Sequence, residues 1–376
     1  MSEIVVVSSK FLPEYSGPGE RIVRLYDWLN YKHGKMRPNI YCDSQDYLSK
    51  KCYSERDYNV FRTGWAFYEV LFRYTPILKK VLLEIEAFFL LRLAIKRARV
   101  IHVLGSSPVT HIALFWAKYY ERRVVLELVN RNSVVFQRVF GFYKIKLRPD
   151  LITYVVISKE LELRCTRAGV SSNIWIRPNP VDISRFHTGR VSNVFEKENG
   201  RINLLCVASF IPRKNQLKLV QVMPDLPDCF SLVLAGPLTN KKESLPYFKR
   251  ISAEVSRLGL DSRISLIPGF VDTAELLNEC DIYVMPAVNE GLGTPMLEAL
   301  CAERPVIANI QEPVFRDWVK QGVAGYTVPM TSQGLLEGLT KCKDLRKNEF
   351  DSYCTLVRDK VNSESIHYKY FDLLFK

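Results

Sequence analysis

Two carboxylates, Glu290 and Glu298, stand eight positions apart on either side of a turn sequence, Gly291-Leu292-Gly293-Thr294. Thr294 precedes a proline, and this pair is typical of the start of a helix, with threonine at the cap. The free N–H groups and the positive dipole end of such a helix would face the glycine turn, an arrangement that binds phosphate. Glu298 would then lie one turn inside the helix. The spacing therefore predicts an anion site that a carboxylate borders on each side.

A strand and a helix must hold this turn in place. Ile282–Met285 is apolar and β-prone, and Pro286 ends the run. The same order of strand, turn and helix occurs at the start of the chain, where Ile4–Ser8 precedes a loop with Gly17 and Gly19. A G-P-G triplet is by itself a weak signal. Those two glycines are therefore equally compatible with a plain surface turn and with a backbone that approaches a ligand.

Strand-like runs alternate with helical patterns along the whole chain. They occur at 4–8, 40–41, 100–104, 123–129, 151–157, 174–177, 202–207, 230–234, 264–267, 282–285 and 305–308. Repeated βα units predict an α/β protein with two doubly wound parallel sheets, and ligands in such folds bind at the carboxyl ends of the strands. The polar stretch 188–200 has the composition of an interdomain linker. We therefore expect two domains with a ligand-binding cleft between them.

Residues 62–99 are both apolar and basic, with eight Lys/Arg and three Glu. A helical projection places six apolar residues on one face: Leu78, Val81, Leu82, Ile85, Phe88 and Phe89. Beyond Ala87 the apolar residues surround almost the whole helix, whereas a helix that lies on a membrane keeps one polar face. The pattern favours ordinary core helices, and a membrane-docking element is the alternative.

Length, cysteines and charge limit the classes of protein. A chain of 376 residues suggests two domains of ordinary size. No tract is long and uncharged enough to cross a bilayer, and we expect no secretory signal peptide, because Met1-Ser2-Glu3 leads directly into a strand. The nine cysteines form no CxxC pair or Cys/His cluster, which indicates reduced thiols in the cytosol and no structural zinc. The net charge of +13 is compatible with a basic soluble surface, an anionic ligand, an anionic membrane or nucleic acid.

The order of several motifs resembles that of a known enzyme family. Glu290–Glu298 resembles the signature E-G-x-G-x-P-x-x-E, and Val207–Asn215 resembles the segment V-G-R-L-x-x-R-K-N upstream of it. Pro178–Asp182 with Phe186 resembles N-G-V-D-x-x-x-F. Further matches occur at 304–308 and 322–329. In this order the motifs are similar to those of the retaining family 4 glycosyltransferases, which have the GT-B fold.

The resemblance is dense over residues 174–330 and weak over 40–150. It implies a GT-B protein, in which two Rossmann-like domains with doubly wound parallel sheets face each other across a cleft. The implied parts are an acceptor-side domain at 1–187 completed by a C-terminal helix at 362–376, a linker at 188–200 and a donor-side domain at 201–361.

The resemblance also implies roles for residues of the donor side. Lys214, with Arg213 beside it, would neutralise the charge that builds on the leaving diphosphate of a nucleotide sugar. N–H groups at Gly293 and Thr294 would assist. Glu298 would accept hydrogen bonds from the ribose hydroxyls, because an ionised carboxylate is a pure acceptor.

Glu290 would contact the donor sugar, so Glu290, Lys214 and Arg213 form the predicted catalytic group. The predicted donor-binding set draws on both domains: Glu298, Gly291, Leu292, Gly293, Thr294, Gly17, Gly19 and Phe270. Without the resemblance, we would interpret Arg213 and Lys214 as two solvated residues of a loop. We would interpret Glu298 as a carboxylate on a helix surface. Retention in this family is explained by departure and attack on the same face, so the two glutamates are not assigned as a hydrolase pair.

The chain departs from the family pattern on both the donor side and the acceptor side. Ser209 replaces an arginine, and Asn130 or Glu127 stands where the family often has a histidine near acceptor and sugar. His102 matches a different recurring histidine and is equally compatible with a packed structural role. Asp317 takes the place of a late glutamate, and the glycine pair before it is absent. Asn130, His102 and Glu127 are the predicted acceptor-side residues.

The resemblance implies a retaining glycosyltransferase that moves a hexose from a UDP- or GDP-sugar to a hydroxyl of a glycan or lipid-linked glycan. No D-x-D triplet occurs, so we expect no metal and no cofactor beyond the donor substrate. We expect a cytoplasmic protein without a nucleic-acid partner, because no recognition motif is present. Residues 118–148 contain eight Lys/Arg and two Glu, which suits peripheral contact with an anionic membrane. The alternatives are a degenerate GT-B binding subunit and a nucleotide-sugar epimerase.

Overall fold

The computed structural model describes residues 4–13, 17–34, 37–43, 52–64, 75–129, 148–170, 173–192, 194–195, 200–239 and 241–376. The chain divides into two compact units. Unit 1 comprises Met1–Arg177 and Ile366–Lys376, and unit 2 comprises Pro178–Ser365. Unit 1 thus ends ten residues before the boundary that the sequence predicts at 187.

Unit 1 contains an eight-stranded sheet. Its strands are β1 (Ile4–Ser8), β2 (Asn39–Asp43), β3 (Cys52–Glu55), β4 (Tyr58–Thr63), β5 (Val100–Leu104), β6 (Arg123–Leu128), β7 (Ile152–Val156) and β8 (Ile174–Ile176). Their order in the sheet is β3-β4-β2-β1-β5-β6-β7-β8. All neighbours pair in parallel except β3 and β4, which form an antiparallel hairpin at the edge. The sequence did not predict β3 or β4.

The helices of unit 1 follow its strands. They are α1 (Gly17–His33), α2 (Pro76–Arg97), α3 (Pro108–Tyr119) and α4 (Lys159–Arg167). Buried residues of α1 recur at helical spacing, at Ile22, Leu25, Tyr26 and Leu29, and pack on the core that includes β1 and β2. Amphipathic spacing therefore determines which face of α1 is buried.

Unit 2 contains a six-stranded parallel sheet. Its strands are β9 (Ile202–Val207), β10 (Phe230–Gly236), β11 (Ile264–Pro268), β12 (Ile282–Met285), β13 (Val306–Asn309) and β14 (Gly325–Val328). Their order is β11-β10-β9-β12-β13-β14. The strand order reverses between β9 and β12, so this is the position at which a doubly wound sheet binds ligands. The sequence did not predict β14.

The helices of unit 2 connect these strands and continue beyond them. They are α5 (Gln216–Val222), α6 (Lys241–Arg257), α7 (Thr273–Glu279), α8 (Thr294–Cys301), α9 (Pro313–Arg316), α10 (Ser332–Cys342) and α11 (Lys347–Val361). The predicted linker 188–200 is tied to this unit in its described part, because both the backbone N–H and the hydroxyl of Ser192 donate to Glu279. These bonds explain why the segment groups with unit 2.

The last helix, α12 (Ser363–Phe375), has most of its length in unit 1. Ile366, Tyr370 and Leu374 recur every fourth residue and are buried in the same core as α1. The Tyr370 hydroxyl also donates a hydrogen bond to the buried carboxylate of Glu127, at 2.5 Å. The end of the chain is therefore part of the fold of unit 1.

The prediction that α2 is an ordinary core helix is wrong for one of its faces. Leu78, Val81, Ile85 and Phe89, which the sequence assigns to a shared core face, are 46%, 44%, 49% and 69% exposed. The helix is instead buried through Leu83, Ala87, Leu91 and Ile95. Among the described helices, none is long and apolar enough to span a bilayer.

Candidate donor-binding site

The turn between β12 and α8 is built around a glycine that no other residue can replace without strain. Gly293 is the cap residue of α8 and has φ +83°, in the left-handed region. A Cβ atom at this position would lie 2.9 Å from Cε1 of Phe315. The sequence prediction that Thr294 caps the helix is therefore wrong, since Thr294 is the first helical residue. Its hydroxyl accepts a hydrogen bond from the Asn179 amide at 2.7 Å.

Glu290 lies at the start of this turn, and its carboxylate forms ion pairs with two cationic side chains. Its Oε1 atom lies 2.6 Å from a terminal guanidinium nitrogen of Arg213 and 2.7 Å from Nζ of Lys214. The Glu290 and Lys214 side chains are 9% and 13% exposed, whereas that of Arg213 is 47% exposed. The structure thus brings together the three residues predicted to be catalytic, and it places both cations on one carboxylate oxygen.

A short 3-10 helix, Pro212–Lys214, positions the two cations. Asn215 follows it with φ +59° and donates from its side-chain amide to the carbonyl of Pro286 at 3.2 Å. The N–H of Val288 donates in turn to the carbonyl of Arg213 at 2.9 Å. These two bonds join the loop after β9 to the loop after β12, so the cations and Glu290 belong to one hydrogen-bonded structure.

Glu312, which was not predicted from the sequence, binds the backbone of Glu290. The buried carboxylate of Glu312 accepts a hydrogen bond from the backbone N–H of Glu290 at 2.8 Å. Asn309, at the end of β13, donates from its amide to the carbonyl of Pro286 at 3.1 Å. One sequence feature could have indicated Glu312. It is an acidic residue that follows β13, the strand next to β12, and precedes a proline. That pattern is also typical of a helix start, so by itself it does not indicate a site.

The remaining donor-side residues occupy different environments. Glu298 is half-buried on α8, one turn after its start. Gly291 is half-buried, whereas Leu292 is buried. Phe270 follows β11 and is 77% exposed. In unit 1, Gly17 and Gly19 lie in the first turn of α1 and not in the preceding loop, where the sequence analysis placed them.

His102 and Glu127 lie together in the interior of unit 1. The His102 ring is fully buried, with Nε2 at 3.1 Å from Oε1 of Glu127 and Nδ1 at 3.0 Å from the hydroxyl of Tyr26. The guanidinium of Arg177 donates to the other oxygen of Glu127 at 2.9 Å, and Arg21 lies 3.3 Å from it. Asn130, the third predicted acceptor-side residue, lies outside the described residues.

The charge of Glu127 is stabilised by its neighbours. Burial raises the pKa of this carboxyl, but the charges of Arg177 and Arg21 and the hydrogen bond from His102 together hold its pKa below the ordinary value. Glu127 therefore stays ionised and forms the centre of a structural network. His102 and Glu127 are brought together as a buried pair, and contact of either with an acceptor remains a prediction.

The geometry of unit 2 is suited to an anionic ligand. Lys214 and Arg213 lie beside the turn that opens α8, where backbone N–H groups and the helix dipole also favour negative charge. No group of three or more His, Cys, Asp or Glu residues within the described ranges is arranged to hold a metal ion. The side-chain cations and backbone N–H groups of this site can stabilise negative charge electrostatically.

Comparisons with known proteins identify a family match and similar folds. Residues 190–350 match the family described as Glycosyl transferases group 1. No curated protein matches the chain. HepE from Anabaena, solved in complex with UDP and glucose, superimposes with a TM-score of 0.70 at 15% identity, over 100% of this chain and 99% of that one.

Two further solved structures have the same fold. Sucrose-phosphate synthase from Thermosynechococcus elongatus gives a TM-score of 0.72 at 15% identity, over 99% of this chain and 98% of its own. WaaG, a glycosyltransferase involved in lipopolysaccharide biosynthesis, gives 0.65 at 13% identity, over 99% of both chains. The chain therefore has the GT-B fold, and its residues 190–350 match the family of group 1 glycosyl transferases.

Proposed function

We propose that this protein is a glycosyltransferase that transfers a hexose, with retention of configuration, from a UDP- or GDP-sugar to a hydroxyl of a glycan or lipid-linked glycan. The observation that supports the donor assignment is the pair of cations on Glu290, beside the helix start at Gly293 and Thr294. The likeness to HepE, which was solved with UDP and with UDP-glucose, favours UDP as the nucleotide.

The proposed reaction breaks the bond between C1 of the sugar and the leaving phosphate oxygen. Negative charge grows on that oxygen, and Lys214 with Arg213 neutralises it. Backbone N–H groups at the start of α8 contribute further donors. Because these groups are already positioned, they need little reorganisation as the charge develops. In this proposal no divalent metal takes part, since the cations and the helix start perform the charge neutralisation.

Glu290 and Glu298 have different roles in this proposal. Glu298 accepts hydrogen bonds from the two ribose hydroxyls of the donor. Glu290, which pairs with both cations in this structure, lies near the donor sugar and orients the cations toward the diphosphate. The acceptor oxygen forms a bond to C1 on the face from which the phosphate leaves, and the hydroxyl proton passes to the departing phosphate oxygen. The product therefore keeps the anomeric configuration of the donor without a covalent enzyme intermediate.

A transfer assay with donor sugars labelled with ¹³C at C1 tests this proposal. UDP- and GDP-hexoses would be incubated with the enzyme and a lipid-linked glycan extract, and NMR would follow the labelled carbon. The proposal predicts a new glycoside signal with the donor's anomeric configuration. Inversion would contradict retention, a free epimer of the nucleotide sugar would indicate an epimerase, and binding without turnover across acceptors would indicate a non-catalytic subunit.

A lipid-linked acceptor requires an enzyme that works at a membrane surface. We propose that the protein acts in the cytoplasm, at the inner face of an anionic membrane. The net charge of +13 supports this location, because the cytoplasmic face of a membrane carries negative charge.

A further inference from the structure

A continuous apolar stripe is exposed along α2 in unit 1. It is formed by five residues spaced by four, Ile77, Val81, Ile85, Phe89 and Leu93, which are 80%, 44%, 49%, 69% and 61% exposed. Residues at this spacing lie on one side of a helix. Water-exposed apolar side chains are common one at a time, but a contiguous row of them marks an interaction site.

The neighbouring helix α3 extends this stripe into a broader surface. Phe115 and Tyr119 are 41% and 68% exposed and lie one turn apart on α3. The Phe88 ring lies 5.6 Å from that of Phe89 and 5.9 Å from that of Phe115, so it joins the two helices. We call this surface, formed by the five stripe residues with Phe115 and Tyr119, the α2–α3 face.

The exposed charged side chains that the structure describes on α2 are all basic. They are Arg92, Lys96 and Arg97, which lie in its last two turns, and the other exposed side chains described on α2 are apolar. The two acidic residues of α2, Glu84 and Glu86, are half-buried. Arg92 and Lys96 project on the same side as the apolar stripe.

We propose that the α2–α3 face docks on a membrane that contains anionic lipid, with α2 lying in the plane of the interface. Apolar side chains would enter the boundary between headgroups and acyl chains, and the basic end would contact anionic headgroups. The 22-residue helix is about 33 Å long, so it offers an extended contact. A protein partner fits less well, because the exposed residues that the structure describes on α2 offer only apolar groups and positive charge, without acidic groups for a mixed polar rim.

This inference concerns where the enzyme works, and it does not rest on the identity of the donor. The test is co-sedimentation of the full chain with vesicles of phosphatidylcholine alone or with a third of phosphatidylglycerol. We expect binding to the anionic vesicles that is weakened at high salt, and much weaker binding to the neutral ones. Phe89→Glu should lower the affinity for anionic vesicles by roughly tenfold or more, because a charge would replace an inserted ring.

Matched control variants come from α4, which lies in the same unit. Leu163 is 54% exposed there, so Leu163→Glu changes a comparable residue outside the α2–α3 face and should leave the affinity unchanged. Arg92→Gln with Lys96→Gln should weaken binding by roughly tenfold, whereas Lys159→Gln with Arg167→Gln should change it by less than about twofold. Circular dichroism and melting temperature verify that each variant is folded.

Several outcomes would overturn the inference. The first is that the wild type does not bind anionic vesicles. The second is that Phe89→Glu and Leu163→Glu weaken binding equally. The third is found by sedimentation velocity: if the wild type self-associates and Phe89→Glu makes it monomeric while vesicle binding is unchanged, the face is an interface between copies of this chain.

Discussion

Nζ of Lys214 and Oε1 of Glu290 lie 2.7 Å apart, although the two residues are 76 positions apart in the chain. The contact joins the loop after β9 to the loop after β12, and these strands are neighbours at the position where the strand order reverses. The contact therefore places a cation beside the turn that opens α8. In the proposed reaction, the donor diphosphate binds next to this pair.

Removal of the Lys214 ammonium should impair catalysis much more than folding. We expect Lys214→Ala to lower kcat/KM by roughly 10² to 10³, the range for loss of one positioned group that stabilises transition-state charge. The matched control is Lys249→Ala, since Lys249 is an exposed lysine on α6 in the same unit. Steady-state kinetics with the labelled donor gives both values, and equal values for the two variants would contradict the role of Lys214.

Glu312 should affect catalysis indirectly, because it holds the backbone of Glu290 in place. Glu312→Ala removes the acceptor for the Glu290 N–H and leaves a buried donor unpaired, which costs roughly 1–3 kcal/mol. We expect kcat to fall more than KM rises, because the turn and its catalytic carboxylate would be misplaced. Glu312→Gln keeps an acceptor oxygen and should restore most of the lost kcat. Kinetics of both variants tests this, and a glutamine variant as impaired as the alanine variant would contradict a positioning role.

Gly293 should tolerate no side chain. Its φ of +83° is unfavourable for alanine, and the added Cβ would approach the Phe315 ring at 2.9 Å. Gly259→Ala is the control, because Gly259 also has positive φ, +66°, but nothing lies within 4 Å of its Cβ position. We expect both variants to lose roughly 1–2 kcal/mol of unfolding free energy from backbone strain. Gly293→Ala should lose more and should also bind the donor poorly, as chemical denaturation and calorimetry would show.

The carboxyl of Asp43, at the end of β2, should make the stability of unit 1 depend on pH. Burial raises its pKa from 3.8 to about 6, although hydrogen bonds from Ser107, Thr63 and the Val109 N–H act in the opposite direction. A raised carboxyl pKa means that the folded state binds the proton more tightly. This contribution to stability is therefore complete below pH 3.8 and is lost as pH rises through about 6.

Asp43→Asn removes this titration while keeping the shape of the side chain. We expect the variant to be more stable than the wild type by about 1–3 kcal/mol at pH 8 and to lose that advantage near pH 4. The buried His111, whose pKa burial lowers to about 4, has the opposite dependence over the same range. The measurement is therefore the difference between variant and wild type in denaturant titrations at several pH values. A difference that does not change with pH would contradict the raised pKa.

The local structure of the donor site could be predicted from the sequence, because its strand, turn and helix are consecutive. An apolar run, a proline and two glycines indicate β12, the turn and α8 without reference to the rest of the chain. The approach of Lys214 to Glu290 depends on strand order, and only the family resemblance indicated it. Glu312 was missed for the same reason, since its partner is the backbone N–H of a residue 22 positions away.

Other differences between the sequence predictions and the structure have different causes. The β3–β4 hairpin turns through Arg56 and Asp57 with positive φ, without the glycine or asparagine that usually indicates such a turn. β14 is only four residues long and begins with a glycine. The exposed face of α2 was predicted to be buried, because periodicity shows which residues share a face and not what that face contacts.

The central claim is that the turn between β12 and α8 binds a nucleotide sugar. A thermal-shift series with UDP- and GDP-hexoses tests it most directly, applied to the wild type, Glu298→Ala and the control Glu275→Ala on α7. A donor at about one hundred times its Kd should stabilise the wild type and the control by about 2.7 kcal/mol, raising their Tm. Glu298→Ala should keep its unliganded Tm and lose most of this shift, because the ribose hydroxyls lose their acceptor. An equal shift in all three proteins, or no shift with any nucleotide sugar, would contradict the claim.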